Sequence, residues 1–321
     1  MGSREIHRAM SARRVYCVSS PVRGFRRRRD LPTFVRPGRR ECLGALGPLT
    51  DLPDRLQRLL DPGGDFEPVS QPHHGDWLDV YDESGQTFEE YVMTAFVPES
   101  HFRRVYFVPL EGPSAISEEW LARFRRYAEA FFTVEVCMLP PRPLDDGAVA
   151  RRTDPEWGLY QWCAADVLRD LAANRPDDAW SVLALTGADI YPHALVDYTF
   201  GLASYTERVG VCSVARFSAP YCREASVPNG RFARRACRLI AHEIGHLLGL
   251  RHCVYYACLM NGSTSLAEGD TRPLHLCPID LRKLQWLLGF DVDARYRDLA
   301  AIWREFGASD ETSWILRRLS L

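Results

Sequence analysis

Residues 242–252 read HEIGHLLGLRH. His242 and His246 are four apart, so on a helix they project from one face, a turn apart. Imidazoles placed this way can share one zinc ion at about 2.0–2.1 Å. Glu243, beside the first of them, is placed to take a proton from a water that the metal activates. Gly249 can adopt a left-handed backbone and end the helix. The chain can then turn back and offer His252 as a third ligand. Three protein ligands and an open fourth position describe a catalytic zinc rather than a structural one.

The spacing HExxHxxGxxH is the metzincin zinc signature. It runs directly into HCVYYACLM (252–260), and LCPIDLRKLQ follows at 276–285. Thiols bind zinc at about 2.3 Å, and clustered loop cysteines suit a closed structural site. The other reading of Cys253, Cys258 and Cys277 is a set of buried free thiols. The combined pattern resembles the archaemetzincins, whose extended signature is HExxHxxGxxHC, four residues, CxM, a spacer, then CxxC. This chain matches it through Cys277.

The resemblance implies that His242, His246 and His252 are the catalytic zinc ligands and Glu243 the general base. It implies that Met260 floors the metal site, and that Cys253, Cys258 and Cys277 hold a second zinc. The fourth cysteine of the pattern would fall at position 280, where this chain has Asp280. A carboxylate can ligate zinc, so a three-thiolate, one-carboxylate site is one reading. Cys237, Cys222 or Cys212 are alternative fourth donors. A weak or empty second site is the third reading. GPLTDLP (47–53), ADIYP (188–192), FGLAS (200–204) and CPIDLRKLQWLLGF (277–290) extend the resemblance over about residues 45–306.

The implied fold class is α/β: a metzincin-like mixed, mostly parallel sheet with a long active-site helix and a helical C-terminal subdomain. The segments expected are a basic, disordered arm (1–44), a metalloprotease domain (45–306) and a C-terminal tail (307–321). The domain divides into an extension (45–100) and a catalytic region (101–306). The patterning agrees. RVYFVPL (104–110), VEVCML (134–139) and WSVLALTG (180–187) read as strands, and SEEWLARFRRYAEAFF (117–132) as a helix opened by Ser117. LYQWCAADVLRDLAAN (159–174) reads as a second helix, 201–207 and 209–218 as strands, and 232–248 as the helix bearing the histidines. Alternating strands and helices imply a largely parallel sheet. Two further helices follow Met260. The extension reads as loops with one or two short helices. The resemblance also implies an edge strand over the cleft, able to pair with extended substrate, and VGVCSVARFS (209–218) is the segment chosen for it.

Composition bounds the rest. The 321 residues carry a net charge of −2, with 40 basic residues of which only Lys283 is lysine. No whole-chain field draws the protein to nucleic acid or membrane, and no apolar run is long enough to span a bilayer. Ten cysteines in a chain this long, three of them in metal spacing, fit a reducing compartment better than a secreted disulfide framework. The arginine-rich, acid-poor residues 1–40 lack the apolar core of a secretory signal. Their composition allows a mitochondrial transit peptide, and RRRR at 26–29 a nuclear address. The expected location is cytoplasmic or nuclear, with mitochondria allowed, and not secreted.

The function expected is a zinc metallopeptidase acting on peptide or protein substrates, with an aminopeptidase preference implied by the resemblance. The rival is a non-catalytic, zinc-stabilised binding module. An intact Glu243 argues against it, because a structural site needs no base there. Nucleic-acid binding by the arginine arm is disfavoured by the near-neutral charge. Asp189 and Tyr191 could orient groups near a cleft or simply hold a turn. His73, His74 and His275 read as loop residues. Cys17 and Cys42 are default candidates for a cysteine that blocks the zinc.

Overall fold

The structure is a computed structural model describing residues 26–27, 33–99, 104–112, 114–144, 147–154, 157–222 and 226–321. Cys17 and most of the arginine-rich arm lie outside the described residues. Arg26–Arg27 pairs antiparallel with Tyr81–Asp82.

Five strands form the central sheet: β1 (Arg104–Pro109), β2 (Glu135–Met138), β3 (Ala179–Thr186), β4 (Gly201–Ser204) and β5 (Val209–Ser213). Their order is β2-β1-β3-β5-β4. β1 runs parallel to β2 and β3, and β3 parallel to β5; β4 returns antiparallel to β5. All eight residues of β3 are buried, as a parallel strand covered on both faces requires. Its side chains alternate between two cores. Leu183 and Leu185 join Ile240 and Leu247, while Val182 and Ala184 join Val167 and Leu171.

The helices supply these two layers. α1 (Glu118–Phe132) starts where Ser117 accepts from the Trp120 amide, with Glu118 and Glu119 in its first turn, where negative charge suits the helix dipole. α2 (Ala164–Ala173) covers one face of the sheet and α3 (Asn229–Leu247), which carries the zinc motif, the other. After a short helix at Leu266–Asp270 come α4 (Pro278–Leu288), α5 (Val292–Glu305) and α6 (Ser309–Leu319). Residues 307–321, predicted as a tail, thus contain α6, which packs on α5 and buries Trp314 and Ile315.

Two predicted elements differ in the structure. Residues 159–174 are not one helix, because Tyr160–Cys163 is a strand between Arg151–Thr153 and Asp189–Tyr191. The aromatic residues there suit a strand, and only Val167, Leu168 and Leu171 carry helical spacing. Nor is Val209–Ser213 the sheet edge. It is second from the edge, because a tight turn sends Gly201–Ser204 back along its outer side. Sequence shows the two strands but not which lies outermost.

Asp54–Leu60, Trp77–Val80 and Phe88–Thr94 are short helices of the extension, and a fourth, Arg39–Leu46, starts inside the arm expected to be disordered, where it buries Cys42. Three of them pack on α4. There Arg282 donates to the Leu46 carbonyl and stacks 3.8 Å over the Phe88 ring. Among the described residues no helix is long and apolar enough to cross a membrane.

Candidate metal centres

His242 and His246 lie on the buried face of α3. The helix stops because Gly249 takes φ +91°, a backbone that suits glycine. Leu250 then donates to the Gly245 carbonyl at 2.9 Å, which turns the chain so that His252 comes back onto the helix. The Nε2 of His242 stands 2.9 Å from that of His246 and 3.3 Å from that of His252. Three nitrogens around one tetrahedral zinc would be about 3.3 Å apart, so the cluster fits a single small cation.

Each imidazole is fixed through its other nitrogen. His242 Nδ1 donates to Leu259 O at 3.0 Å and His246 Nδ1 to Leu250 O at 2.7 Å. The Tyr205 hydroxyl lies 2.8 Å from His246 Nδ1. His252 Nδ1 meets Glu83 Oε1 at 2.7 Å. These contacts hold Nδ1 protonated and leave Nε2 as the ligand lone pair. Burial, with the neighbouring His252, pushes His242 down to about 3. Burial likewise holds His246 well below its ordinary value. Both rings are therefore neutral at physiological pH, which metal binding requires.

Glu243 is fully buried beside the cluster. Gly201 of the edge strand β4 presses against it, so that a Cβ there would fall 2.6 Å from the Glu243 carboxyl carbon. Gly245 lies equally close to Met260, with 2.7 Å from its would-be Cβ to Sδ. Met260 is fully buried under the histidines' helix. Asn261 locks the turn that presents it, donating to Cys253 O and Tyr256 O and accepting from the Cys258 amide.

A second donor group lies beside the first. Cys253, Cys258, Cys277 and Asp280 are all buried, with ligand atoms within 4.8 Å of one another. Cys253 Sγ is 3.6 Å from Cys277 Sγ, and Asp280 Oδ2 is 3.3 Å from Cys258 Sγ and 3.6 Å from Cys277 Sγ. Sulfur ligands on one tetrahedral zinc would be about 3.8 Å apart, so this set also fits one ion. Burial raises the Cys258 and Cys277 thiols. Burial opposes ionisation of Cys253 too, but hydrogen bonds from Cys258, Cys277 and the backbone outweigh it and hold that thiol well below its usual value. Asp280 Oδ1 pairs with Lys283 Nζ at 2.8 Å. Burial pushes Asp280 up to about 6 against the pull of Lys283.

The structure thus brings together the seven donors that the sequence singled out. Cys212, Cys222 and Cys237 lie elsewhere: Cys212 against Leu239 O, Cys222 against Arg235, and Cys237 in the buried face of α3. Cys42 sits against Tyr255 O rather than among the imidazoles. Asp189 is bound to Arg216 at 2.7 Å and Gln161 at 2.7 Å, and Tyr191 lies under Arg152 at 3.8 Å, so both belong to buried structural contacts. His73 and His74 are exposed beside Asp76 and Asp79. His275 stacks on Trp314 at 3.6 Å.

Four residues were not foreseen. Glu83, Tyr205 and Asn261 gave no motif to notice. Lys283, the one lysine in the chain and three residues after Asp280, was a visible signal.

A mixed sheet backed by a helix with converging histidines and an adjacent glutamate belongs to a zinc metallopeptidase. The chain belongs to the archaemetzincins: residues 163–286 match the model of peptidase family M54. Archaemetzincin-2 of Macaca fascicularis is 33% identical over 278 residues, covering 76% of this chain and 77% of that one. Archaemetzincin-1 of Mus musculus is 34% identical over 257 residues, covering 70% of this chain and 51% of that one. The solved archaemetzincin of Methanopyrus kandleri aligns at 26% identity with a TM-score of 0.47, over 61% of this chain and all of that one.

Proposed function

We propose that this peptidase hydrolyses peptide bonds at a zinc held by His242, His246 and His252, with Glu243 as general base. The convergence of three imidazole Nε2 atoms beside a buried glutamate carries the reading. Zinc bound there would polarise a carbonyl and lower the pKa of water toward about 7. Glu243 accepts the proton of the attacking water. The water oxygen bonds to the carbonyl carbon, the C–N bond breaks, and Glu243 returns the proton to the leaving nitrogen. Gly201 lets that carboxylate approach the edge strand, and the outer side of β4 offers main-chain groups to an extended substrate. Trimming from the amino terminus is the preference suggested by the family resemblance.

Cys253, Cys258, Cys277 and Asp280 are proposed to hold a second zinc of structural role. The adjacency of the two donor sets supports this. Cys253 follows His252 directly, and its amide donates to Met260 O at 2.9 Å, so a metal on the thiols would brace the turn beneath the histidines. A reducing compartment, cytoplasmic or nuclear, suits these thiols.

The test is zinc stoichiometry together with peptide cleavage by wild type and Glu243→Gln. Cleavage by wild type, lost in Glu243→Gln while zinc is retained, is expected. Zinc binding with no cleavage of a broad peptide library by wild type would overturn the reading in favour of a binding module.

A further inference from the structure

Residues 77–91 lie outside the segment matched by the family model, yet they wrap the loop that delivers His252. Tyr91 Oη donates to Leu248 O at 2.8 Å. Gln86 donates to Gly249 O at 3.2 Å and accepts from the Arg251 amide at 3.2 Å. Gly85 passes so close that a Cβ would stand 2.7 Å from Val254. Trp77 packs edge-on against the His252 ring, 4.7 Å between centroids.

Within this wrap Glu83 is unusual. Its side chain is 9% exposed, and its Oε1 lies 2.7 Å from His252 Nδ1. Its Oε2 is buried without a hydrogen-bond partner among the described residues. No arginine or lysine forms an ion pair with it there. A carboxylate buried this way is costly unless positive charge lies close. The His252 ring links this carboxylate to the point where the three Nε2 atoms converge, and a cation there would supply such charge. His242 and His246 are held by backbone carbonyls, so His252 alone has a carboxylate behind it.

We propose that Glu83 is a positioning residue for the metal centre. It fixes the Nδ1–H tautomer of His252 and aims its Nε2 at the ion. The proposal rests on the reading of His242, His246 and His252 as ligands of one metal. Partners of this kind typically contribute about 10–100-fold to metal affinity.

The test is titration of the metal-free full chain with Co²⁺, comparing wild type, Glu83→Ala and Glu83→Gln. Absorption from cobalt bound to thiolate reports the cysteine site separately from the histidine site. Glu83→Ala is expected to weaken the histidine site about 10–100-fold and leave the thiolate bands in place. Glu83→Gln, which keeps an acceptor and removes the charge, should fall between. The metal-free variants should melt close to metal-free wild type, which a merely structural contact would not allow. Unchanged cobalt affinity in both variants, or a metal-free Glu83→Gln that is itself strongly destabilised, would overturn the proposal. Cobalt affinity is read without turnover, so a failure of the peptidase reading would show only in cleavage.

Discussion

Gly201 on the edge strand and Glu243 on the metal helix are in such close contact that no side chain fits between them. The proposed general base and the strand proposed to hold substrate therefore share one wall. Gly201→Ala must displace one or the other. A misplacement of about 1 Å can cost roughly 100-fold in rate, and the three histidines are untouched. The expected outcome is a kcat/KM lowered by about that factor with zinc content unchanged. Steady-state kinetics beside metal analysis would show it, and full activity would mean that the contact does not set the base.

Met260 is buried with its sulfur against Gly245. Met260→Ala should cost about 2–5 kcal/mol by opening a cavity. Gly245→Ala should cost about 1–3 kcal/mol by overpacking the same contact. Denaturant unfolding of the two variants, separately and combined, should show them to be strongly non-additive, because they act on one pair of atoms.

Asp280→Ala should lose the second equivalent of zinc and also leave Lys283 Nζ buried without its partner, a change worth about 3–5 kcal/mol. Adding Lys283→Met should restore melting in the metal-free protein without restoring the zinc. If Asp280→Ala keeps its full zinc content, Asp280 is not a ligand. Chelation of wild type should lower its melting temperature, because metal binding is coupled to folding.

Arg55 holds Asp293 through a bidentate pair of 2.9 and 2.5 Å, tying the extension to α5. That hydrogen bond holds the Asp293 carboxyl below its ordinary value of 3.8. A depressed carboxylate stabilises the fold fully above its unfolded pKa and loses that contribution as pH falls through the folded value. Asp293→Asn should therefore destabilise at neutral pH, and the difference from wild type should shrink as pH falls below the ordinary carboxylate value of 3.8. Urea midpoints across that range would test it. The pair is partly exposed, so the effect at neutral pH should stay near 1 kcal/mol or less.

The histidines, Glu243, Met260 and the thiols were legible because their chemistry depends on short, fixed spacings within residues 242–280. Strands β1 to β3 were legible because apolar runs bounded by polar residues leave few other readings. What escaped was set by tertiary pairing. The outer position of β4 follows from a hairpin turn, and the strand at Tyr160–Cys163 follows from its partners at Arg151–Thr153 and Asp189–Tyr191. Glu83 could not be seen at all, since nothing local distinguishes it from any loop glutamate.

The wrap of residues 77–91 around the metal loop also has a kinetic meaning. Its hydrogen bonds to residues 248–252 join positions 157 to 169 apart in the chain. Contacts so distant in sequence form slowly. On the ribosome they must wait until residues 248–252 have emerged. Until then Trp77 and Tyr91 lack the part of their surroundings that residues 248–252 provide. The loop that carries the third histidine is thus completed by residues made long before it, and its geometry is a late product of chain assembly.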